Sequence, residues 1–141
     1  MEQKDTSKIV EELKLCPDFQ NFYNENKPYL LQENLAQLLE KYLAEKNLKK
    51  GDVVRKSDLH ETYGYQIFSG LRVPDRKKLL CLAFGMGLSL EETQNLLKCA
   101  SYPQLYVKKP FDSVVIFGLV KGLSVMETNE LLYQYGQETL G

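Results

Sequence analysis

The residue types that usually perform catalysis or bind metals are sparse in this 141-residue chain. His60 is the only histidine, so a histidine-based metal site or a Ser/His/Asp arrangement has little to build on. The acidic pairs Glu11-Glu12 and Glu91-Glu92 lie in amphipathic segments, where helix capping and solubility explain them. The glycines are scattered and form no phosphate-binding loop. We therefore expect no catalytic residue, no metal and no cofactor, and we expect that the protein is not an enzyme.

Recognition by hydrogen bonding is instead indicated by the segment from Leu48 to Gly70, LKKGDVVRKSDLHETYGYQIFSG. Its spacing predicts a short helix over 50–56, a tight turn at 58–60 and a second helix over 61–69 that ends at Gly70. Five apolar residues fall where two crossing helices would bury them: Val53, Val54, Leu59, Ile67 and Phe68. The polar positions of the second helix then face outward, which is how helix-turn-helix proteins present side chains to the major groove of DNA.

Charge is unevenly distributed along the chain. The net charge is −1, but residues 46–78 hold nine Lys/Arg against four Asp/Glu, a local charge of +5 that leaves −6 elsewhere. This basic third coincides with the predicted helix pair, as a phosphate-facing surface requires. An ordinary solvated surface with many charges is the alternative interpretation.

Composition indicates a globular protein with one core, because 43% of the residues are apolar. The three cysteines Cys16, Cys81 and Cys99 are an odd number without C-x-x-C spacing. We therefore expect buried free thiols in a reducing cytoplasm, with no disulfide framework. No segment is as long and apolar as a membrane span, and the N-terminal residues are too polar for a secretory signal. The expected location is cytoplasmic, without membrane contact.

Helical periodicity extends through most of the chain. Thr6 or Asp5 is expected to cap a first helix that ends before Pro17, and a second short helical turn follows from Phe19. A stripe of leucines and Tyr42, beginning at Leu31, predicts a helix from about Pro28 to Lys46. Another helix is expected over 76–86, and Ser89 with Glu92 forms a capping box for the next. No segment alternates as a strand, so an all-α fold is predicted.

An internal repeat follows the predicted helix pair. Residues 77–98 align without a gap to residues 112–133, with seven identities that comprise a helix stop, a cap, a capping-box acid and core leucines. These are the parts of a helical hairpin, so we expect a second hairpin stacked on the first. The predicted organisation is a helical extension over 1–33, a helix-turn-helix domain over 34–100, and a C-terminal hairpin over 101–141 packed on it as one globular unit.

With helices on either side of Leu48–Gly70, the chain resembles the Xre/Cro, lambda-repressor-like helix-turn-helix family. The resemblance covers residues 34 to about 100, five helices in the family's order. Its most specific stretch is YQIFSGLRVPDRKKLLCLAFGMGLSLEE: a helix, a glycine, a short basic loop with proline, then an apolar helix followed by GLSLEE. The resemblance implies a five-helix domain that binds double-stranded DNA.

The resemblance also implies roles for individual residues. The candidates for reading base edges, on the exposed face of the recognition helix, are Glu61, Thr62, Tyr63 and Gln66. The candidates for phosphate contacts are Lys49, Lys50, His60 and Arg72, of which His60 is alternatively a helix cap. Gln66 suits adenine, Thr62 suits a thymine methyl group, and Glu61 is able to accept a hydrogen bond from cytosine.

Three features depart from the family pattern. Asp58 stands where glycine is usual at the turn, and the recognition helix carries no Lys or Arg. Val54 stands where a small residue is usual, and Gly64 stands where a branched residue is usual. Because positions 54 and 64 face each other in the family, this exchange would conserve volume.

Two functions follow from these observations. The first is a transcriptional regulator that inserts helix 61–69 into the major groove and acts as a homodimer, or with a protein partner, through the C-terminal hairpin. The alternative is a protein-interaction adaptor that keeps the fold and no longer reads DNA. Glu61 on the recognition helix and the low net charge motivate this alternative.

Overall fold

The computed structural model describes residues 6–26 and 34–141, and the regular structure within these ranges is entirely α-helical. The helices are α1 (Thr6–Leu15), α2 (Phe19–Asn26), α3 (Leu35–Glu45), α4 (Lys50–Lys56), α5 (Glu61–Ser69), α6 (Arg76–Gly85), α7 (Leu90–Cys99), α8 (Pro110–Lys121) and α9 (Val125–Gln134). The predicted all-α class is confirmed. The chain separates into two compact units, Met1–Glu33 and Asn34–Gly141.

The first unit contains α1 and α2. Helix α1 begins at Thr6, and Asp5, the other expected cap, lies outside the described residues. The Asp18 carboxylate accepts a hydrogen bond of 2.7 Å from the backbone N–H of Asn21, which stabilises the first turn of α2. Phe22 is buried, and its ring centroid lies 5.8 Å from that of Phe19.

Helix α3 begins later than the sequence predicted. Pro28 and Leu31, where the predicted helix and its stripe start, lie outside the described residues. Asn34 has an extended backbone (φ −100°, ψ 174°) and forms a reciprocal capping box with Gln37. A continuous helix through residue 34 was therefore a wrong prediction. The Asn-x-x-Gln spacing that marks this helix start is present in the sequence at residues 34–37.

The core of the second unit is centred on α6, which packs against α4, α7 and α9. Leu79, Leu80, Leu82 and Ala83 are fully buried as a result. Burial, reinforced by the Asp58 carboxylate, raises the pKa of the Cys81 thiol to about 11. The free-thiol prediction holds for the three cysteines, but full burial holds for Cys81 alone, since Cys16 and Cys99 are half-buried.

The predicted repeat corresponds to two helical hairpins, α6–α7 and α8–α9. Their second helices begin with matching capping boxes, Ser89 with Glu92 and Ser124 with Glu127. The likeness extends past the sequence match. The Gln94 side chain accepts from the N–H of Leu105 at 2.7 Å, and 35 residues later the Asn129 side chain accepts from the N–H of Leu140 at 2.7 Å. Both leucines are buried, so each hairpin is followed by a segment that is hydrogen-bonded to the second helix of that hairpin.

The segment between the hairpins is fixed by a buried ion pair. The Arg76 guanidinium donates two hydrogen bonds, of 3.1 and 3.0 Å, to the Asp112 carboxylate, whose side chain is 3% exposed. Arg76 Nε also donates to the Pro103 carbonyl at 3.0 Å, and Asp112 accepts from the N–H of Tyr106 at 2.9 Å. The second hairpin is thereby tied to the first residue of α6.

None of the helices in the described ranges combines the length and the apolar character needed to cross a bilayer.

Candidate nucleic-acid interface

The candidate interface is built on α4, the following turn and α5, whose bounds are those the sequence predicted. The Ser57 hydroxyl donates to the Val53 carbonyl at 2.6 Å and secures the end of α4. Asp58 then adopts the left-handed conformation, with φ of 58°, at the position where the family resemblance implied glycine. Aspartate tolerates this conformation better than most residues do, so the turn forms without glycine.

The end of α5 is set by Gly70, which is left-handed with φ of 85°. The carbonyl of Gln66 accepts hydrogen bonds from the N–H groups of Leu71 (2.9 Å) and Arg72 (3.2 Å), the pattern of a helix C-cap. The loop that carries Arg72 is therefore anchored to the last turn of α5.

Val54 and Gly64 face each other where α4 and α5 pack. A Cβ atom at Gly64 would lie 2.7 Å from Val54 Cγ1 and 2.8 Å from Val54 Cγ2. This geometry confirms that positions 54 and 64 face each other, as expected. Ile67 and Phe68 are buried on the same side of α5, so this side packs into the core.

Five side chains form one uncovered, open face on α5: Glu61, Thr62, Tyr65, Gln66 and Ser69. Gln66 is half-buried and the other four are exposed. Three of the four predicted base-reading candidates, Glu61, Thr62 and Gln66, are thus brought together. We call these five residues the α5 face.

Tyr63, the fourth predicted base-reading candidate, does not lie on the α5 face. It is half-buried against the core, and Lys78 Nζ lies 5.8 Å from its ring centroid. Burial raises the pKa of the Tyr63 phenol, the Asp75 carboxylate adds to the rise, and the Arg72 guanidinium opposes it. The placement of Tyr63 on the exposed face is corrected, because it stands one turn before buried Ile67.

Tyr65 and Ser69 are members of the α5 face that the sequence analysis missed. Tyr65 follows Glu61 by four residues and Ser69 follows Tyr65 by four, so helical spacing alone placed them on that stripe. The Tyr65 hydroxyl also lies against the first turn of α4, 3.0 Å from where a Cβ at Gly51 would be.

The four predicted phosphate-contact residues differ in their availability. Lys49 and Arg72 are exposed, and no ion pair within the described ranges engages either one. His60 is exposed at the N-cap of α5, but its side chain makes no capping hydrogen bond. Lys50 is committed elsewhere, since its Nζ lies 2.5 Å from Glu40 Oε1 and 5.9 Å from the Phe68 ring centroid.

The charge of this region is lower than the sequence implied. Four acidic residues from outside the segment 46–78 form ion pairs with four basic residues of the segment: Lys46–Glu92, Lys50–Glu40, Arg76–Asp112 and Lys77–Glu138. Counting these acids with the nine basic and four acidic residues of the segment reduces the local charge from +5 to +1. The cations left without an ion pair among the described residues include Lys49, Lys56 and Arg72.

A groove of about 440 Å³ lies beside the turn that precedes α5. Asp58 lines it together with α9 residues that include Glu130, Met126 and Tyr133. The two carboxylates make this flank of the interface acidic, in contrast to Lys49 and Arg72. Within residues 6–26 and 34–141, no three His, Cys, Asp or Glu side chains group as metal ligands would.

Comparisons of the chain with protein-family models, with curated proteins and with solved structures found no match.

Proposed function

We propose that this protein is a DNA-binding transcriptional regulator of the Xre/Cro, lambda-repressor-like type, in which α3 to α7 form the DNA-binding domain. The observation that carries the proposal is the α5 face. Its hydrogen-bonding side chains stand uncovered along one side of a helix whose other side is locked into the core. A rigid helix with a free polar side is what reading base edges requires.

The α5 face would read bases, and the cations beside it would fix its position. Gln66 offers the amide pair that matches adenine, and Thr62 offers a methyl group for thymine. Glu61 is able to accept from the cytosine amino group. Lys49 before α4 and Arg72 after α5 lie on opposite ends of the helix pair in sequence, and both would contact phosphates.

A local charge of +1 supports only a few phosphate contacts, so one copy would bind weakly and with a shallow dependence on salt. Useful affinity would then require two copies on a two-fold-related site, with half-sites roughly 34 Å apart.

The test begins with selection of tight-binding duplexes from a random library, followed by fluorescence anisotropy at 50 mM salt. The Lys49→Ala, Arg72→Ala double variant should weaken binding to selected and random duplexes alike, and should lower the salt slope by about two. Gln66→Ala should lose the preference for one base pair while keeping affinity for random duplex. Lys98→Ala, which removes an exposed lysine on α7, is the matched control and should bind normally.

The proposal fails if the protein binds no duplex at 50 mM salt. It also fails if the double variant and the Lys98→Ala control bind equally well.

The four ion pairs that withdraw Lys46, Lys50, Arg76 and Lys77 favour a second candidate, a protein-interaction adaptor. In this function the acidic flank at Asp58 and Glu130 belongs to a protein-binding surface. Such an adaptor would bind no duplex at low salt, and Lys49→Ala with Arg72→Ala would leave its protein complex intact.

A further inference from the structure

An apolar surface is exposed on the second hairpin. It consists of Val114, Phe117 and Val120 of α8 together with Leu131 and Tyr135 of the α9 end, and we call it the outer face. Phe117 is 49% exposed, Val120 62% and Tyr135 67%. Four of these residues line a groove of about 230 Å³ with Ser113. Clustered apolar exposure of this kind is typical of interaction sites.

The equivalent surface of the first hairpin is covered by other helices of the same chain. Phe117 corresponds to Leu82 and Leu131 to Leu96, and both of these leucines are 0% exposed. Val120 corresponds to Gly85, where an added Cβ would lie 2.7 Å from the Val53 carbonyl of α4. Helix α3 covers α7, with the Tyr42 hydroxyl 3.5 Å from the Glu92 carbonyl. The same hairpin surface thus accommodates packed helices in one copy, whereas in the other Phe117 and Val120 are exposed.

Opposite charges border the outer face at one end. Lys121, in the last turn of α8, has its Nζ 5.9 Å from the Phe117 ring centroid. Glu127 lies in the first turn of α9, one turn before Leu131. Since α8 and α9 run in opposite directions through a short turn, both charges lie near that turn. Consider a two-fold axis that runs parallel to α8 and α9 and lies in the plane between two facing copies. Such an axis would place α8 of one copy over α9 of the other. It would also set Lys121 of each copy against Glu127 of the other.

We propose that the outer face is a dimer interface that takes a second copy of this chain, with Phe117 of each copy in the groove of the other. The contact is isologous, because one surface supplies both the protruding ring and the groove. The dimer would give the proposed regulator the two DNA-binding helices that a two-fold site needs. Its existence does not depend on DNA binding, so the two ideas are tested separately.

The experiment is sedimentation velocity on the full chain from 1 to 100 µM. A dimer with a concentration-dependent population is expected. Phe117→Asp should weaken the dimer at least 100-fold, because it places a charge at the centre of an apolar contact. Met126→Asp is the matched control, since Met126 is 72% exposed and lines the other groove, beside Asp58. It should leave the dimer unchanged.

Val120→Asp provides a second disruption at a more exposed position, and circular dichroism of each variant checks that it is folded. Lys121→Gln and Glu127→Gln should each weaken the dimer about 2- to 5-fold at low salt, as rim charges do. Glutamine at position 127 retains the capping hydrogen bond, so helix α9 keeps its start.

A monomer at 100 µM overturns the proposal. A dimer that survives both Phe117→Asp and Val120→Asp overturns it as well, because association then uses another surface. A monomer that binds duplex contradicts the dimer alone, whereas a dimer that binds no duplex contradicts the regulator alone.

Discussion

The hairpins α6–α7 and α8–α9 carry seven identical residues at equivalent positions, yet they occupy different environments. In the first, α3, α4 and α9 surround the helices, and Leu82, Leu96 and Leu97 are fully buried. In the second, one side packs on the first hairpin and the opposite side carries Phe117 and Val120 in the open. The comparison teaches that the repeated residues specify a helical hairpin, whereas the helices that pack on each hairpin determine which of its side chains are buried.

The largest expected difference concerns positions 85 and 120. Gly85→Ala should cost about 3 kcal/mol, because the new Cβ would meet Ser57 Oγ and lie 2.7 Å from the backbone carbonyl of Val53. In a Phe117→Asp background, where the proposed dimer is disrupted, Val120→Ala at a position that is 62% exposed should change the free energy of unfolding by less than about 0.5 kcal/mol. Urea denaturation of both variants measures the difference. Equal losses would show that the two environments do not differ as described.

Leucines 96 and 131 allow the same substitution in both hairpins. Leu96→Ala should cost about 2–5 kcal/mol, since Leu96 is 0% exposed and a cavity would remain. Leu131→Ala should cost less than half as much, because Leu131 is only half-buried at the rim of the groove. The comparison belongs in a Phe117→Asp background, where association cannot add to the stability of the wild-type side chain. A greater loss at Leu131 would contradict it.

Threonines 93 and 128 are equivalent and both are fully buried, but their hydroxyl groups differ in hydrogen bonding. Thr93 Oγ1 donates to the Ser89 carbonyl at 2.8 Å, whereas Thr128 Oγ1 has no hydrogen-bond partner among the described residues. Thr93→Val should therefore destabilise by about 1 kcal/mol, and Thr128→Val should be neutral or stabilising. Thermal unfolding of the pair checks this. Destabilisation by Thr128→Val would indicate a hydrogen bond there.

The smallest effect concerns pH. Partial burial opposes ionisation of Glu92, but hydrogen bonds from Ser89 and the ion pair with Lys46, at 3.0 Å, outweigh it and lower the pKa. A lowered folded-state pKa gives stability that is present above the unfolded pKa and is lost as the pH falls through the folded value. Lys46→Gln should therefore make stability less dependent on pH below about 4.5. Lys98→Gln, which lies on α7 as Glu92 does, is the control and should preserve the pH dependence of the wild-type stability.

Much of the candidate interface was predictable because its signals are local. Asp58 and Gly70 mark the left-handed turns, and the family resemblance implied that Val54 and Gly64 face each other. Tyr65 was equally predictable from its spacing and was missed. The ion pair between Lys50 and Glu40 was not predictable, because Glu40 lies on a different helix and no sequence pattern links the two residues.

By itself the sequence determined the all-α class, the turn that joins α4 to α5, and the paired hairpins. Caps, left-handed turns and apolar spacing act within a few residues, so these features are written in contiguous stretches of chain. Only the tertiary structure decided that four acidic partners reduce the local charge around residues 46–78 from +5 to +1. It also decided that the outer face is exposed while the equivalent surface of the first hairpin is buried. Ion pairing and burial depend on residues far apart in the chain, and only packing brings those residues together.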